Sequence, residues 1–322
     1  MQRVLVILSV IVLVTASLGV GALAANWPFW RRAWAWHAAD GGWPPQMPGP
    51  HQTVRGGDGV PLRFEVAAAD LAVAAARADT QLLLRVRGGV ADAWRATGAD
   101  ESVPVDGHGM AAALLAPLFM QLEARHPGLL DRPVGAWIQA WRQDQRGALT
   151  PRELLELIAG GIEAPPAAAP LNPFSARARL ASGPGFQRAA QLAFTPSGDR
   201  RAAAAQLLAG VAAAVEGRPF TEVLQTELWS RVARADAGVM MDRRLGVGAA
   251  HCCISAAPAD WLRLGLHLAR ASTVGQTQTI RSAGRALVAG PDGAIFWMGE
   301  GPAPSGLEML LHSTGTDTTH AD

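Results

Sequence analysis

The chain has 322 residues, of which 49% are hydrophobic and 17% are charged, and its 28 basic and 27 acidic side chains leave a formal charge of +1. With no basic block along the chain, this balance excludes a protein that binds nucleic acid mainly through phosphates. All the basic residues are arginine, and neither lysine nor tyrosine occurs in the sequence. A lysine base, a Schiff base, a P-loop lysine and a phenolic acid–base group are therefore excluded.

The N-terminus carries an uncharged stretch from Val4 to Ala25, which would span about 33 Å as a helix, enough to cross a bilayer. The residues after it favour a retained anchor, because tryptophan prefers the membrane–water interface. These residues are Trp27, Trp30, Trp34 and Trp36. A cleaved signal peptide is the alternative, since Ala22-Leu23-Ala24 resembles a signal-peptidase site, and a buried core helix is the third. The first two interpretations predict export, either to an inner membrane facing the periplasm or beyond it.

The composition divides the chain into three parts. Residues 1–25 are interpreted as the anchor or signal peptide, and residues 26–61 as a Trp-rich juxtamembrane segment followed by a Pro- and Gly-rich linker. Residues 62–322 are interpreted as the folded domain. Arg31 and Arg32 follow the apolar stretch while only Arg3 precedes it, so the distribution of positive charge leaves the membrane orientation open.

Within the domain, two predicted hairpins enclose a helical region. The first hairpin turns at Gly88-Gly89 and the second at Gly290–Gly293. The predicted helices are Glu65–Ala78, Met110–Arg125, a helix that starts with the capping-box pattern of Thr150 to Glu153, Arg200–Glu216, Pro258–Arg270 and Gly306–His312. This order predicts an α+β fold in which strands from both chain ends form one mainly antiparallel sheet.

The two cysteines are adjacent, at Cys252 and Cys253. A bridge between neighbours needs a strained ring, so we expect no disulfide and two buried thiols. With His251 they could also form a metal cluster, but zinc ligands are usually two or more residues apart. The sequence therefore predicts no metal site and no cofactor.

Several segments together resemble the serine β-lactamase-related hydrolases, over roughly residues 78–312. The likeness is greatest to the class C-like and penicillin-binding-protein-like esterases and the 6-aminohexanoate-oligomer hydrolases. It rests on the order and spacing of Leu82–Gly89, Ala93–Gly98, Asp106–Leu115, Leu129–Val134, Leu149–Leu155, Glu216–Phe220 with Leu228-Trp229, and Cys253–Gly265. The resemblance implies a β-lactamase/transpeptidase-like fold.

The resemblance also implies where catalytic residues would lie. The family attacks acyl groups with the serine of Ser-x-x-Lys, assisted by that lysine and by the tyrosine of a Tyr-x-Asn-type motif. Alignment places the serine on Gly107 and the lysine on Met110, and the tyrosine and asparagine on Arg200 and Ala202. Arg281 lies where the family carries its Lys-Thr-Gly or His-Thr-Gly motif.

None of these positions holds the expected chemistry. Glycine has no nucleophilic atom and methionine accepts no proton. Because the chain lacks lysine and tyrosine altogether, no shift of the alignment restores the motifs. The sequence thus predicts a membrane-anchored cell-envelope pseudoenzyme with a binding or scaffolding role. The alternatives are an acyl hydrolase with a non-standard nucleophile and a purely structural tether.

Three residues remain as candidate ligand-binding residues. Arg200 and Arg281 would face each other across the former catalytic cleft and could hold a carboxylate or phosphate bidentately, unless they turn to solvent or pair with acids such as Asp199. His108 is two residues from Asp106, a spacing that does not align side chains on a helix, so we expect a partly exposed or hydrogen-bonded histidine rather than a base. The predicted partners are membrane lipid and either a protein or a small anionic ligand, without nucleic acid.

Overall fold

The computed structural model describes residues 11–17, 20–21, 24, 27–39, 44, 47–76, 80–159, 162, 175–196, 199–271, 277–282, 284–291 and 293–299. Its strands are β1 (His51–Val54), β2 (Phe64–Val66), β3 (Thr80–Arg87), β4 (Val90–Arg95), β5 (Val105–Asp106), β6 (Ala237–Met240), β7 (Ile254–Ala256), β8 (Gln278–Ser282), β9 (Arg285–Gly290) and β10 (Gly293–Gly299). From Trp27 onward its α-helices are α1 (Trp27–Ala38), α2 (Ala69–Ala76), α3 (Leu115–Arg125), α4 (Pro151–Ile158), α5 (Ala176–Ser182), α6 (Phe186–Ala193), α7 (Arg200–Glu216), α8 (Phe220–Leu224), α9 (Ser230–Val232) and α10 (Pro258–Ala271).

The large sheet contains strands from both ends of the chain, in the order β2-β4-β3-β10-β9-β8. Both predicted hairpins are present, and β10 joins them by pairing antiparallel with β3, with Phe296 opposite Leu84. Successive residues face opposite sides, as a pleated strand requires: Leu84 and Phe296 belong to the main core, whereas Leu83 and Trp297 pack on the other face. The predicted α+β arrangement is confirmed.

The predicted helix Glu65–Ala78 differs from the structure at its start. Phe64–Val66 forms β2, which pairs in parallel with Ala91–Ala93 of β4, and helix α2 begins only at Ala69. The sequence pattern favoured a helix because alanine dominates this stretch, but pairing with a sheet edge determined the local structure at its first residues.

The helical region follows the sequence closely. The side chain of Thr150 accepts the N–H of Glu153, and the Glu153 carboxylate accepts the N–H of Thr150, so α4 starts with the predicted capping box. Helix α7 has the predicted bounds and ends at Gly217, whose left-handed φ of 64° suits glycine. Most of α7 is buried because its alanines allow close packing. The predicted closing helix Gly306–His312 lies outside the described residues.

A second sheet, which the sequence did not indicate, has the order β1-β6-β7-β5. Its strands contain only two to four residues, too few for a readable alternation of polar and apolar side chains. Strand β5 ends at Asp106, and a 3₁₀ helix, His108–Leu114, precedes α3, so the predicted helix from Met110 starts in 3₁₀ geometry. This sheet therefore positions the segment that resembles the family's nucleophile helix.

The segment before the domain is packed rather than extended. Helix α1 lies against α5 and buries Phe29, Arg32 and Trp36, and β1 pairs with β6. This packing differs from the tether that the composition of residues 26–61 suggested, because the aromatic side chains find apolar partners within the domain. Among the described residues, no helix combines the length and apolar character that a membrane span requires. Much of residues 1–25 lies outside the described residues.

The expectation of two free thiols is wrong. Cys252 and Cys253 form a disulfide between adjacent residues, and both are fully buried. They pack with Trp36 of α1 and Phe186 of α6. Cys253 has a positive φ of 66°, a conformation that sequence spacing does not reveal. The disulfide therefore lies in the cluster that joins α1 to the domain.

Candidate functional site

The candidate site lies where β5 leads into the 3₁₀ helix. The backbone N–H of Gly107 donates to the carbonyl of Ile254 on neighbouring β7 (2.8 Å), and Asp106 Oδ1 accepts the N–H of His108 (2.8 Å). His108 has a φ of +48°, which is uncommon for a residue with a side chain. These contacts turn the chain sharply before Gly109.

Gly107 and Met110, the predicted serine and lysine positions, face the protein interior. A Cβ on Gly107 would lie 2.2 Å from Cζ2 of the Trp261 indole, and Met110 is fully buried. Trp261 is on α10 and is itself fully buried. A side chain at position 107 would therefore point into the core rather than toward a cleft.

Gly109, two residues further along, faces the edge strand β8. Its N–H donates to Ser282 Oγ (3.0 Å), and a Cβ on Gly109 would lie 1.9 Å from the carbonyl oxygen of Ile162. The Ser282 hydroxyl in turn donates to that same carbonyl (3.4 Å). The backbone N–H of Gly109, the hydroxyl of Ser282 and the carbonyl of Ile162 thus close the junction between the 3₁₀ helix and β8.

A cluster of ionisable side chains lies beside this junction. Nη1 of Arg285, on β9, is 2.8 Å from Nδ1 of His108. Burial, reinforced by the Arg285 charge, lowers the pKa of His108 to about 3. The imidazole is therefore neutral and can accept a hydrogen bond from the Arg285 guanidinium. Burial raises the pKa of Asp106 to about 6, against its hydrogen bond from His108 and the charge of Arg285. Burial also lowers the pKa of Arg285, and its Nε has no partner in the described part of the chain.

The predicted hydrogen-bonded state of His108 is therefore present, with Arg285 as a partner. A histidine with a pKa near 3 carries almost no proton at neutral pH and is a poor general acid. The cluster can bind or orient a charged group. The pKa of His108 in this environment lies too far below 7 for efficient proton transfer at neutral pH.

The remaining predicted positions are dispersed over two elements. Arg200 is exposed at the start of α7, with its guanidinium carbon 5.2 Å from the centre of the Phe194 ring. Ala202 is buried, and its N–H donates to the capping carboxylate of Asp199. Arg281 is exposed on β8, opposite Ala286. The proposed arginine pair across one cleft stays a prediction.

An apolar cavity of about 320 Å³ adjoins the junction between the 3₁₀ helix, α4 and β8. Its walls combine small side chains of the helices with the polar edge of the strand. They comprise Ala112, Ala113, Ala116, Leu155, Ile158, Ala159, Thr277, Gln278, Thr279 and Ile280. The volume falls in the range of small-molecule sites.

Metal ligation finds no support in the part of the chain that the structure describes, where no three histidine, cysteine or acidic side chains group together. His251 is fully buried, and its Nδ1 contacts Gln206 Oε1 at 2.9 Å. Asp260, expected to brace its helix, accepts the N–H groups of Arg234 and Ala235 and pairs with Arg263.

Sequence reasoning missed Ile162, Ser282 and Arg285. Ser282 and Arg285 flank the turn of the β8–β9 hairpin, directly after the segment assigned to the third motif. The sequence thus indicated this segment as part of the site but did not indicate the contacts of these two residues. Nothing in the sequence near Ile162 indicates that its carbonyl meets Gly109, because these residues are 53 positions apart and no pattern links them.

Comparison with known proteins supports the fold through structure alone. No family model and no curated protein matches the sequence. The structure is similar to a protein from Bacillus anthracis assigned as a 6-aminohexanoate-dimer hydrolase, with a TM-score of 0.62 and 14% identity over 83% of this chain and 89% of that one. It is also similar to FmtA from Staphylococcus aureus, with a TM-score of 0.56 and 8% identity over 81% and 96% of the two chains.

A third similar structure is a class C β-lactamase from Rhodobacter sphaeroides, with a TM-score of 0.51 and 12% identity over 77% of this chain and all of that one. The sheet built from both chain ends and the inserted helical region thus form a serine β-lactamase/transpeptidase-like fold. The chain has the fold of the serine β-lactamase-related hydrolases, as its sequence resemblance implied.

Proposed function

We propose that this protein is a membrane-anchored pseudoenzyme of the cell envelope, which uses a β-lactamase-like fold for binding or scaffolding. The observation that carries the proposal is the junction at Gly109. The 3₁₀-helix residue that faces β8 has no side chain, and the carbonyl of Ile162 lies where its Cβ would be.

The Ser-x-x-Lys motif requires a nucleophile and a lysine three residues apart on one helix. Gly109 and Ala112 have this spacing, with Gly109 beside Ser282 and Ala112 on the cavity wall. We therefore favour positions 109 and 112 over 107 and 110 as the equivalents of the family's pair. Under both assignments, the two motif positions hold neither a nucleophile nor a base.

A binding role is supported by the cavity next to this junction. Its alanine-rich helical wall can contact an apolar group, while the exposed threonine and glutamine residues of the β8 edge can form hydrogen bonds. The exposed arginines Arg200 and Arg281 favour an anionic ligand or protein partner.

Anchoring is supported by the N-terminal residues that are described. The side chains of Ile11, Val12, Leu13 and Val14 are all more than half exposed, although each is apolar. We expect the full chain to sediment with membranes and to resist extraction by high salt. A mature chain beginning near Asn26 in a soluble envelope fraction would contradict anchoring and support the cleaved signal peptide.

The rival proposal, an acyl hydrolase, has Ser282 as its nucleophile candidate, because this hydroxyl lies at the junction. Ser282 is 7% exposed. Its hydroxyl accepts a hydrogen bond from the N–H of Gly109 and donates one to the carbonyl of Ile162, which is not a general base. The full chain incubated with a fluorophosphonate probe tests this directly, with Ser282→Ala as the matched variant. We expect no labelling in either protein. Labelling of the wild type that disappears in Ser282→Ala would establish the hydrolase instead.

A further inference from the structure

We propose that a second, unrelated site binds a phosphate group, in a small cavity between α9, α10 and the loop before β2. The cavity measures about 40 Å³ and is far smaller than the one beside Gly109. Four of its lining side chains are basic or can become so, and none is acidic. The lining residues are Val60, Arg231, Val232, Arg263, Leu266, His267 and Arg270.

The helix geometry directs these side chains toward one place. Arg263, His267 and Arg270 are separated by four and three residues on α10, so they share one face of the helix. Arg231 reaches the same cavity from α9. Three arginines and a histidine from two helices therefore line one cavity.

Internal hydrogen bonds hold the base of the cavity. Arg263 donates through Nε to the carbonyl of Val60 (2.7 Å) and through Nη1 to Asp260 (2.6 Å). Asp260 is fully buried and also accepts the N–H groups of Arg234 and Ala235. The one carboxylate beneath the cavity in the described structure is thus fully engaged, and Arg263 is fixed.

The uncompensated charge at the mouth of the cavity is that of Arg270, since burial and the Arg270 charge lower the pKa of His267. Within the described residues, neither His267 nor Arg270 makes a hydrogen bond or an ion pair. Arg231 forms a long ion pair with Oε2 of Glu227 (3.6 Å), whose other oxygen, Oε1, accepts from Arg218 (2.9 Å). In the part of the chain that the structure describes, three arginines at the cavity thus face only two neighbouring carboxylates, Asp260 and Glu227, and neither carboxylate lines the cavity.

Phosphate fits this arrangement better than a larger anion. Guanidinium groups bind phosphate oxygens through paired hydrogen bonds, and several of them can share one phosphoryl group. A volume near 40 Å³ is little more than the share of one water molecule in the liquid, so only one or two phosphoryl oxygens would enter and the rest of the group would lie at the mouth. The remainder of the ligand, whether a soluble phosphomonoester or a lipid, would stay outside.

Thermal unfolding of the full chain in inorganic phosphate, against chloride at equal ionic strength, tests the site. We expect phosphate to raise the melting temperature, and the double variant Arg231→Gln/Arg270→Gln to weaken binding about tenfold or more. Both residues are exposed, so the substitutions should leave the fold intact. Arg244→Gln, which also removes an exposed arginine, serves as the matched control and should retain the shift. Absence of a phosphate-specific shift, or an equal shift in the double variant, would overturn the proposal.

Vesicles distinguish the two sources of phosphate. The wild type and the double variant are sedimented with phosphatidylcholine vesicles that contain or lack phosphatidic acid, a lipid with a phosphomonoester head group. Extra binding to phosphatidic acid by the wild type alone would identify a lipid head group as the ligand. A phosphate-specific shift without that extra binding would identify a soluble phosphate compound. Equal binding of both proteins together with no phosphate shift would refute the site.

Discussion

Arg32 on α1 and Arg285 on β9 are both withdrawn from water, but different groups compensate their charges. The guanidinium of Arg32 donates to the carbonyls of Pro48, Gly183, Met241 and Asp242, and its carbon lies 5.5 Å from the centre of the Phe186 ring. Arg285 instead contacts a neutral histidine, near a buried aspartate, and its Nε has no partner among the described residues.

This difference separates a structural arginine from one at a candidate site. Backbone carbonyls on three segments surround Arg32, so its burial joins α1 to the domain. The Nε of Arg285 lacks a hydrogen-bond partner in the described structure, and two neighbouring groups, Asp106 and His108, have displaced pKa values. Buried groups with displaced pKa values are typical of functional sites. The groups around Arg285, next to the junction at Gly109, thus have displaced pKa values, while position 109 itself carries no side chain.

The largest expected effect of a substitution is at Arg32. Arg32→Ala leaves four buried carbonyls without their donor and opens a cavity, so we expect a loss of about 4 kcal/mol in the free energy of unfolding. Urea denaturation measures this loss. Arg31→Ala removes the exposed neighbour on the same helix and should change stability by less than about 0.5 kcal/mol. Equal effects of the two substitutions would mean that α1 does not pack through Arg32.

The next effect is at Gly109. Gly109→Ala places a methyl group against the Ile162 carbonyl, so we expect a loss of about 1–3 kcal/mol through overpacking. Gly238→Ala is the control, because the nearest atom to its new Cβ, on His51, is 3.8 Å away. We expect that variant to be as stable as the wild type. A stable Gly109→Ala variant would show that the Ile162 carbonyl does not fill this position.

The sequence predicts the local elements of this fold better than the long-range contacts of Arg32 and Arg285. The hairpins, the Thr150 capping box and α7 are local patterns, and the structure confirms them. Arg32 contacts Met241 and Asp242, which are more than 200 positions away, and Arg285 contacts His108 across 177 positions. A single sequence carries no periodic signal for such contacts, so it did not indicate the partners of either arginine.

The pH dependence of stability sharpens the account of the Asp106 cluster. The pKa of Asp106 is raised to about 6 in the folded protein, so the folded state holds its proton between roughly pH 4 and 6 while the unfolded state has lost it. The contribution of Asp106 to stability therefore falls as the pH rises through this window. Asp106→Asn removes this dependence. From pH 4 to pH 7 we expect the free energy of unfolding of this variant to rise by about 2 kcal/mol relative to that of the wild type.

Unfolding of both proteins across this pH range provides the measurement. His108 and His251 act in the opposite direction, because their pKa values are lowered to about 3 and their contributions rise with pH. The difference between the wild type and Asp106→Asn isolates the aspartate when these histidines are unchanged. A difference that is constant with pH would contradict a displaced pKa at Asp106.

The smallest expected effect concerns the exposed arginines. If Arg200 and Arg281 share a ligand, succinate at a concentration equal to its dissociation constant would stabilise the protein by about 0.4 kcal/mol. Arg200→Ala should abolish the corresponding rise in melting temperature, whereas Arg201→Ala, at an adjacent exposed position, should retain it. A rise that survives Arg200→Ala would remove the arginine pair as the anion site.

Intact-protein mass spectrometry after incubation with a penicillin tests the central claim, the loss of acyl-transfer chemistry, most directly. Gly109 and Ala112 supply neither a nucleophile nor a base, and the chain contains no lysine or tyrosine to replace them. We predict that the mass remains that of the unmodified chain after prolonged incubation. A stoichiometric increase equal to the mass of the penicillin would contradict the account, because it would show that this fold still forms an acyl-enzyme.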